Sequence, residues 1–229
     1  TMVDRWLGYL LDSIELFGLR EDTMVVLMSD HGHYFGDHGL QGKPWGDLGQ
    51  LYEPMTRLCF MVQHPQARPG RSDALLQPVD LFPTVCELSG FSTPQGLQGR
   101  SFANALLGKF GDQRSYAITG RNLDDHWGTV PATVTDGEWT LVYWPNKDLA
   151  YCGKPVRTER HRTTGYPERR VDELFYMPDD PGQMHCVLAE HPAEAKRLHE
   201  ALLALVEETD VDANIAQTYR RLPGENYHL

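Results

Sequence analysis

Residues 28–44 hold the densest chemistry of the chain: Met28-Ser29-Asp30-His31-Gly32-His33-Tyr34-Phe35-Gly36-Asp37-His38-Gly39-Leu40-Gln41-Gly42-Lys43-Pro44. They follow an apolar run, Met24-Val25-Val26-Leu27, with Asp22-Thr23 before it and glycines behind it. A short β-branched run with such borders reads as a buried parallel strand. Open α/β sheets hold their ligands at the carboxyl ends of strands. Asp30 and His31 leave that edge together, one an oxygen and the other a nitrogen donor for a metal. The glycines let the loop fold back, and Lys43 returns a cation thirteen residues after Asp30. These residue types suit the gripping of a metal ion and a tetrahedral anion.

An isolated Asp-His-Gly is common and says little. The run is far more specific when Gly36-Asp37-His38-Gly39-Leu40 and Gly42-Lys43 follow it. In this form it resembles the second metal-binding segment of the sulfatases, a branch of the alkaline-phosphatase-like metallohydrolases. Further stretches are similar to sulfatase landmarks in the same order. They are Val3-Asp4-Arg5-Trp6-Leu7-Gly8 through Gly18-Leu19, Tyr52-Glu53-Pro54-Met55-Thr56-Arg57 with Leu58–Val62, and Val79–Val85 with Gly99-Arg100-Ser101. Asp172-Glu173-Leu174-Phe175, Asp180-Pro181-Gly182 and Leu188–Pro192 resemble the family's C-terminal strand, loop and helix.

The resemblance implies roles for single residues. Asp30 and His31 match metal ligands, and Lys43 matches a catalytic lysine that contacts the sulfate. The implied metal is divalent, calcium first and manganese second, although imidazole is an unusual donor for calcium. His33 sits where the loop would face the substrate and is expected to touch the organic part of the ester. His38, beside Asp37, is expected to pin the loop by hydrogen bonding, and Arg57 to pair internally with Glu53 or Asp80. The family's nucleophile is a cysteine or serine in C/S-x-P-x-R, oxidised to formylglycine and placed before the metal segment. Cys152-Gly153-Lys154-Pro155-Val156-Arg157 has its proline one position late and lies after that segment. Ser92-Thr93-Pro94-Gln95-Gly96 lacks the arginine. This chain is therefore expected to supply part of an active site. A missing N-terminal sulfatase half would bring two more aspartates and the formylglycine.

The elements that must position these residues follow from periodicity. Val3, Trp6, Leu7, Leu10, Leu11, Ile14 and Phe17 fall at helical spacing with Gly18 as a stop. Strands are expected over 24–28 and 58–62, and a helix over 78–89 with an irregular first turn at Pro83. Such alternation implies a mostly parallel sheet. After residue 111 the pattern changes. Residues 132–135 and 139–143 flank Asp136-Gly137, a favoured hairpin turn; Trp127, Trp139, Tyr143 and Trp144 are read mostly as hairpin core, one or two of them otherwise flanking a ring-shaped substrate. Residues 172–177 read as a further strand and 192–208 as a helix with Ala195, Leu198, Leu202, Leu205 and Val206 on one stripe. The polar tail from 210 is expected to wrap the surface or a neighbour. The fold class is α/β. Residues 1–111 would be the C-terminal portion of an alkaline-phosphatase-like α/β/α sandwich. Residues 112–229 would be a small antiparallel sheet with a C-terminal helix. Two strands alone make a poor sheet, which again points to half of a larger fold.

The net charge of −11 argues against a nucleic-acid binder, and no apolar run is long enough to span a membrane. Lys154, Arg157, Arg160, His161, Arg162, Arg169 and Arg170 form a local basic cluster, read chiefly as a solvated loop and otherwise as a rim for a polyanionic substrate. Of four cysteines, Cys59 and Cys86 sit in apolar patterns and are expected to be buried thiols. The cysteine count fixes no compartment. The expected function is hydrolysis of a small-molecule or sugar sulfate ester, with homo-oligomerisation left open. The alternatives are a phosphonate monoester or phosphodiester hydrolase of the same superfamily, or a non-catalytic truncated module.

Overall fold

A computed structural model describes residues 2–43, 51–67, 69–109, 114–120, 131–145, 171–209 and 211–224. In chain order the elements are α1 (Met2–Leu16), β1 (Val25–Met28), β2 (Tyr34–Phe35), β3 (Gln41–Gly42), α2 (Glu53–Thr56), β4 (Phe60–Gln63), α3 (Leu81–Leu88), α4 (Ala103–Leu106), β5 (Ala117–Gly120), β6 (Ala132–Thr135), β7 (Trp139–Tyr143), β8 (Glu173–Tyr176), α5 (Pro192–Glu208) and α6 (Ala213–Thr218). They fall into two compact units. The first comprises Thr1–Asp30, Leu58–Ala74 and Pro78–Asp112; the second comprises His31–Arg57, Leu75–Gln77 and Gln113–Leu229.

In the first unit β1 pairs with β4 in antiparallel register, Val25 opposite Gln63 and Met28 opposite Phe60. The expected parallel arrangement is thus corrected for these two strands. A β-branched run reports burial but not strand direction. Parallel neighbours need a crossover, usually a helix. Here the described part of the connection from 29 to 59 holds only a hairpin and the four-residue α2. Cys86 is buried on α3 as expected, whereas Cys59 is exposed because the strand begins one residue after it. A turn of 3-10 helix at Pro78–Asp80 leads into α3. There the buried Asp80 accepts the Arg100 amide at 2.7 Å, and Thr84 Oγ1 accepts that of Phe102 at 3.0 Å. Helix α1 forms where its spacing requires, yet Val3, Trp6 and Phe17 are 75%, 66% and 73% exposed.

The second unit is built on an antiparallel sheet in the order β5-β6-β7-β8. The β6–β7 turn is held by Asp136, whose Oδ1 accepts the amides of Glu138 and Trp139 at 2.9 and 2.7 Å. Val134, Leu141 and Leu174 on the sheet meet Ala195, Leu198, Leu202 and Val206 on α5. Each fully buried aliphatic side chain in this layer contributes roughly 1.5–3 kcal/mol of transfer free energy. Tyr143 and Trp144 are fully buried, as the hairpin pattern requires. No helix among the described residues is long and apolar enough to cross a membrane.

The chain after 210 departs from expectation. Residues 213–218 form α6, and Ile215 and Tyr219 enter the core. Two apolar residues one turn apart are too few to register against a polar background. Arg221, nearly buried, pairs with the buried Asp172 at 2.7 Å, and Tyr143 donates its hydroxyl hydrogen toward the carbonyls of Tyr219 and Arg221. His199 on α5 is buried and donates from Nε2 to the Tyr219 carbonyl at 2.7 Å.

Burial pushes the His199 imidazole below its usual value of 6.5. The folded state therefore prefers the neutral ring, and the unfolded chain takes up the proton first. Stability is fully present above the unfolded pKa and is lost as pH falls below about 6.5 toward the lowered folded value. The Tm of the wild-type chain is expected to drop between pH 7 and 5.5. In His199→Gln, which keeps a donor for Tyr219 and cannot titrate, the drop is smaller. Equal pH slopes for the two proteins by thermal melting would contradict this.

Candidate active site

Asp30, which ends the first segment of the first unit, is exposed and lies two residues beyond β1. The Ser29 amide just before it donates to the Cys59 carbonyl at 3.2 Å, which carries the β1–β4 pairing up to this point. His31 opens the second unit half-buried, with Nδ1 at 2.7 Å from the Gly32 carbonyl. A carbonyl only accepts, so Nδ1 is the donor in this contact. Metal-ligating histidines are held in this way, one ring N–H on a carbonyl and the other nitrogen toward the ion. By residue type Asp30 is an oxygen donor and His31 a nitrogen donor. Among the described residues no group of three or more His, Cys, Asp or Glu is placed to hold a metal. Calcium takes about six to eight ligands, so the set is short, and no chemical step is assigned through a metal here.

The backbone after His31 is held by α2. The Gly32 amide donates to the Met55 carbonyl and the His33 amide to the Pro54 carbonyl, both at 2.9 Å. A Cβ on Gly32 would lie 1.9 Å from the Pro54 oxygen, so no side chain fits there. Residues 51–53 are in turn fixed from elsewhere in the unit. Thr133 Oγ1 donates to the Leu51 carbonyl at 2.6 Å. The Tyr52 hydroxyl donates to Glu173 Oε2 at 2.5 Å. The Glu53 amide donates to Gln183 Oε1 at 2.6 Å. Burial raises the pKa of the Glu53 carboxyl, which the Arg57 guanidinium at 3.6 Å partly offsets. Arg57 therefore pairs with Glu53, one of its two expected partners, while mostly exposed.

The β2–β3 hairpin carries His33 and Lys43. Tyr34 stands opposite Gly42 and Phe35 opposite Gln41, so His33 and Lys43 flank the same end of the ladder. The His33 ring lies over Gly42, its Cε1 3.9 Å from where a Cβ would be, and it packs at 4.7 Å against Phe35. Alternation sends Tyr34 into the core and leaves His33 and Phe35 outside. Lys43 is exposed. The turn needs left-handed backbone at Gly36, φ 113°, and at His38, φ 54°. Asp37 braces it by accepting the Phe35 amide at Oδ2, 3.0 Å, and the Leu40 amide at its carbonyl, 2.8 Å. His38 pins the loop by stacking on Tyr52 at 3.8 Å and 14°.

Reading the chain by motif missed Tyr34, Tyr52, Glu173 and Gln183 as supports of this loop. Their partners lie up to 130 residues away, and although Tyr34, Tyr52 and Glu173 fall within stretches that the sequence marks, nothing there pairs them. The basic cluster at 154–170, Trp127 and Cys152 lie outside the described residues. Substituting Gly32 tests the clamp directly. Gly32→Ala is expected to destabilise the second unit by about 3 kcal/mol, the upper end for overpacking, read as a lower denaturation midpoint. A midpoint within error of wild type would refute the close approach.

Residues 1–91 match the family model described as Sulfatase. A delta 4,5-hexuronate-2-O-sulfatase of Bacteroides thetaiotaomicron is 29% identical over 88% of this chain and 38% of its own length. A solved structure from the glycosaminoglycan metabolism of the same organism superposes with a TM-score of 0.70 at 23% identity, covering 93% of this chain and 42% of that one. A phosphonate monoester hydrolase of Silicibacter pomeroyi gives 0.66 at 21% identity, covering 92% and 40%. The chain thus spans less than half the length of the proteins it matches. It has the alkaline-phosphatase-like fold with a small antiparallel sheet and a C-terminal helix. The order of its landmarks, its fold and its relatives agree in making this chain similar to the sulfatases.

Proposed function

We propose that this chain is the C-terminal part of a sulfatase that hydrolyses a sugar sulfate ester, its active site completed by residues outside these 229. The observation that carries the reading is the hairpin that brings His33 and Lys43 to one end, two residues along from His31. Lys43 is the cation for the sulfate oxygens, and His33 lies against the organic part of the ester. Asp30 and His31 contribute to a divalent-metal site, calcium first and manganese second. A metal bound there would orient the nucleophile and offset charge on the equatorial oxygens. The nucleophile, a formylglycine, comes from a preceding half of the protein. The apolar residues exposed along α1 support further chain packing against the first unit. A relative named for a hexuronate sulfate supports a sugar substrate.

Fixed charge in a closed site acts on charge that develops in the transition state. In the complete enzyme, Lys43→Ala is expected to lower kcat and kcat/KM together by about 10²–10³, roughly 3–4 kcal/mol. Lys43→Arg restores only part, because a planar fork does not sit where a compact ammonium did. Wild-type kcat with a raised KM would reduce Lys43 to uniform substrate binding.

A second reading, phosphonate monoester hydrolysis, is favoured by the structural likeness to the Silicibacter pomeroyi enzyme. Paired aryl sulfate and aryl phosphonate substrates separate the two. The sulfate is expected to give the higher kcat/KM; the reverse order would reassign the ester.

A further inference from the structure

Gln183 is 2% exposed and sits in the loop after β8. Its φ of 55° is left-handed, a conformation that costs energy for any residue with a side chain. The surrounding turn enforces it. The Gln183 amide donates to the Asp180 carbonyl at 3.0 Å, and the Asp180 carboxylate accepts the amides of Met184 and His185 at 3.0 and 2.8 Å. Of the two polar ends of the buried amide, Oε1 accepts the Glu53 amide at 2.6 Å. Nε2 has no hydrogen-bond partner among the described residues. A side chain buried with strain, and with one donor unmet, is costly as mere filling. What it provides is one oxygen at the amino end of α2.

That oxygen matters because α2 has four residues. Pro54 has no amide hydrogen, and the amides of Met55 and Thr56 donate to the Tyr52 carbonyl at 2.8 and 3.0 Å, so the Glu53 amide is the one in this turn that takes its acceptor from outside; so short a helix has little stability of its own. Its position is set by bonds from outside, and its carbonyls at Pro54 and Met55 hold His33 and Gly32. We infer that Gln183 is a positioning residue. It fixes α2 and, through the α2 carbonyls, sets the backbone of the loop that carries His31 and His33. Tyr52, bonded to Glu173 on β8, is the second strut of the same support. The consequence for catalysis rests on the sulfatase reading of residues 30–43; the positioning itself does not.

Amide hydrogen exchange on the 229-residue chain tests it without any activity assay. Gln183→Met removes the accepting oxygen at similar volume and unchanged backbone demands. Exchange at Gly32 and His33 is expected to accelerate about tenfold or more, the scale of losing one buried hydrogen bond. Val134 and Leu141 on the central strands keep their wild-type rates. Gln183→Glu retains the oxygen and the protection. Glu53→Pro removes the donor instead, at a helix position that suits proline, and should reproduce the loss if Gln183→Met does not fold. Unchanged exchange at Gly32 and His33, or equal acceleration at Val134 and Leu141, overturns the inference. In the complete enzyme the same variants should lower kcat more than they raise KM. Lost protection with unchanged turnover would overturn the catalytic consequence while leaving the support intact, a failure distinct from that of the positioning.

Discussion

Two backbone hydrogen bonds govern the candidate site: Gly32 to the Met55 carbonyl and His33 to the Pro54 carbonyl. They fold the chain leaving β1 sharply onto a short helix more than twenty residues later in sequence. Such a close approach tolerates no Cβ at position 32, so the second residue after Asp30 is fixed by sterics rather than by chemistry. The hairpin inherits this constraint. With His33 anchored and Tyr34 driven into the core, alternation alone sends His33 and Phe35 outward, and the register brings Lys43 alongside. The outward placement of His33 is thus a by-product of a packing decision made on the opposite face.

The same physics explains which parts were legible in the sequence. The β6–β7 hairpin was readable because Asp136-Gly137 is a local signal and alternation is short-ranged. Helix α5 was readable because four of its five striped residues do enter the core. Asp30, His31, His33 and Lys43 stand out in the sequence because they fall within one short stretch. The direction of β1 relative to β4 was not readable, since burial on both faces does not encode orientation. Helix α6 was missed because Ile215 and Tyr219 are a single apolar pair. The supports of the loop were missed for a different reason. Glu173 and Gln183 act on Tyr52 and Glu53 across 121 and 130 residues, and nothing in a linear pattern marks a long-range side-chain acceptor.

The two units also differ in how their apolar residues are used. In the second, the sheet and α5 enclose a core whose central residues are fully buried. In the first, β1 is only half-buried along its length and α1 has no fully buried residue. A helix with Trp6 and Val3 facing solvent has the composition of a packed helix without the packing. This asymmetry matches a chain that spans less than half the length of its relatives. Among the described residues no three or more His, Cys, Asp or Glu are grouped to hold a metal ion.

The central claim is that these residues serve a formylglycine-dependent sulfatase assembled with further chain. Intact-mass and peptide mass spectrometry of the protein as its source makes it tests that claim most directly. The account predicts a polypeptide longer than these 229 residues that contains this sequence and carries a formylglycine ahead of it. A natural product of 229 residues with no such aldehyde would contradict the account and leave a non-catalytic member of the family.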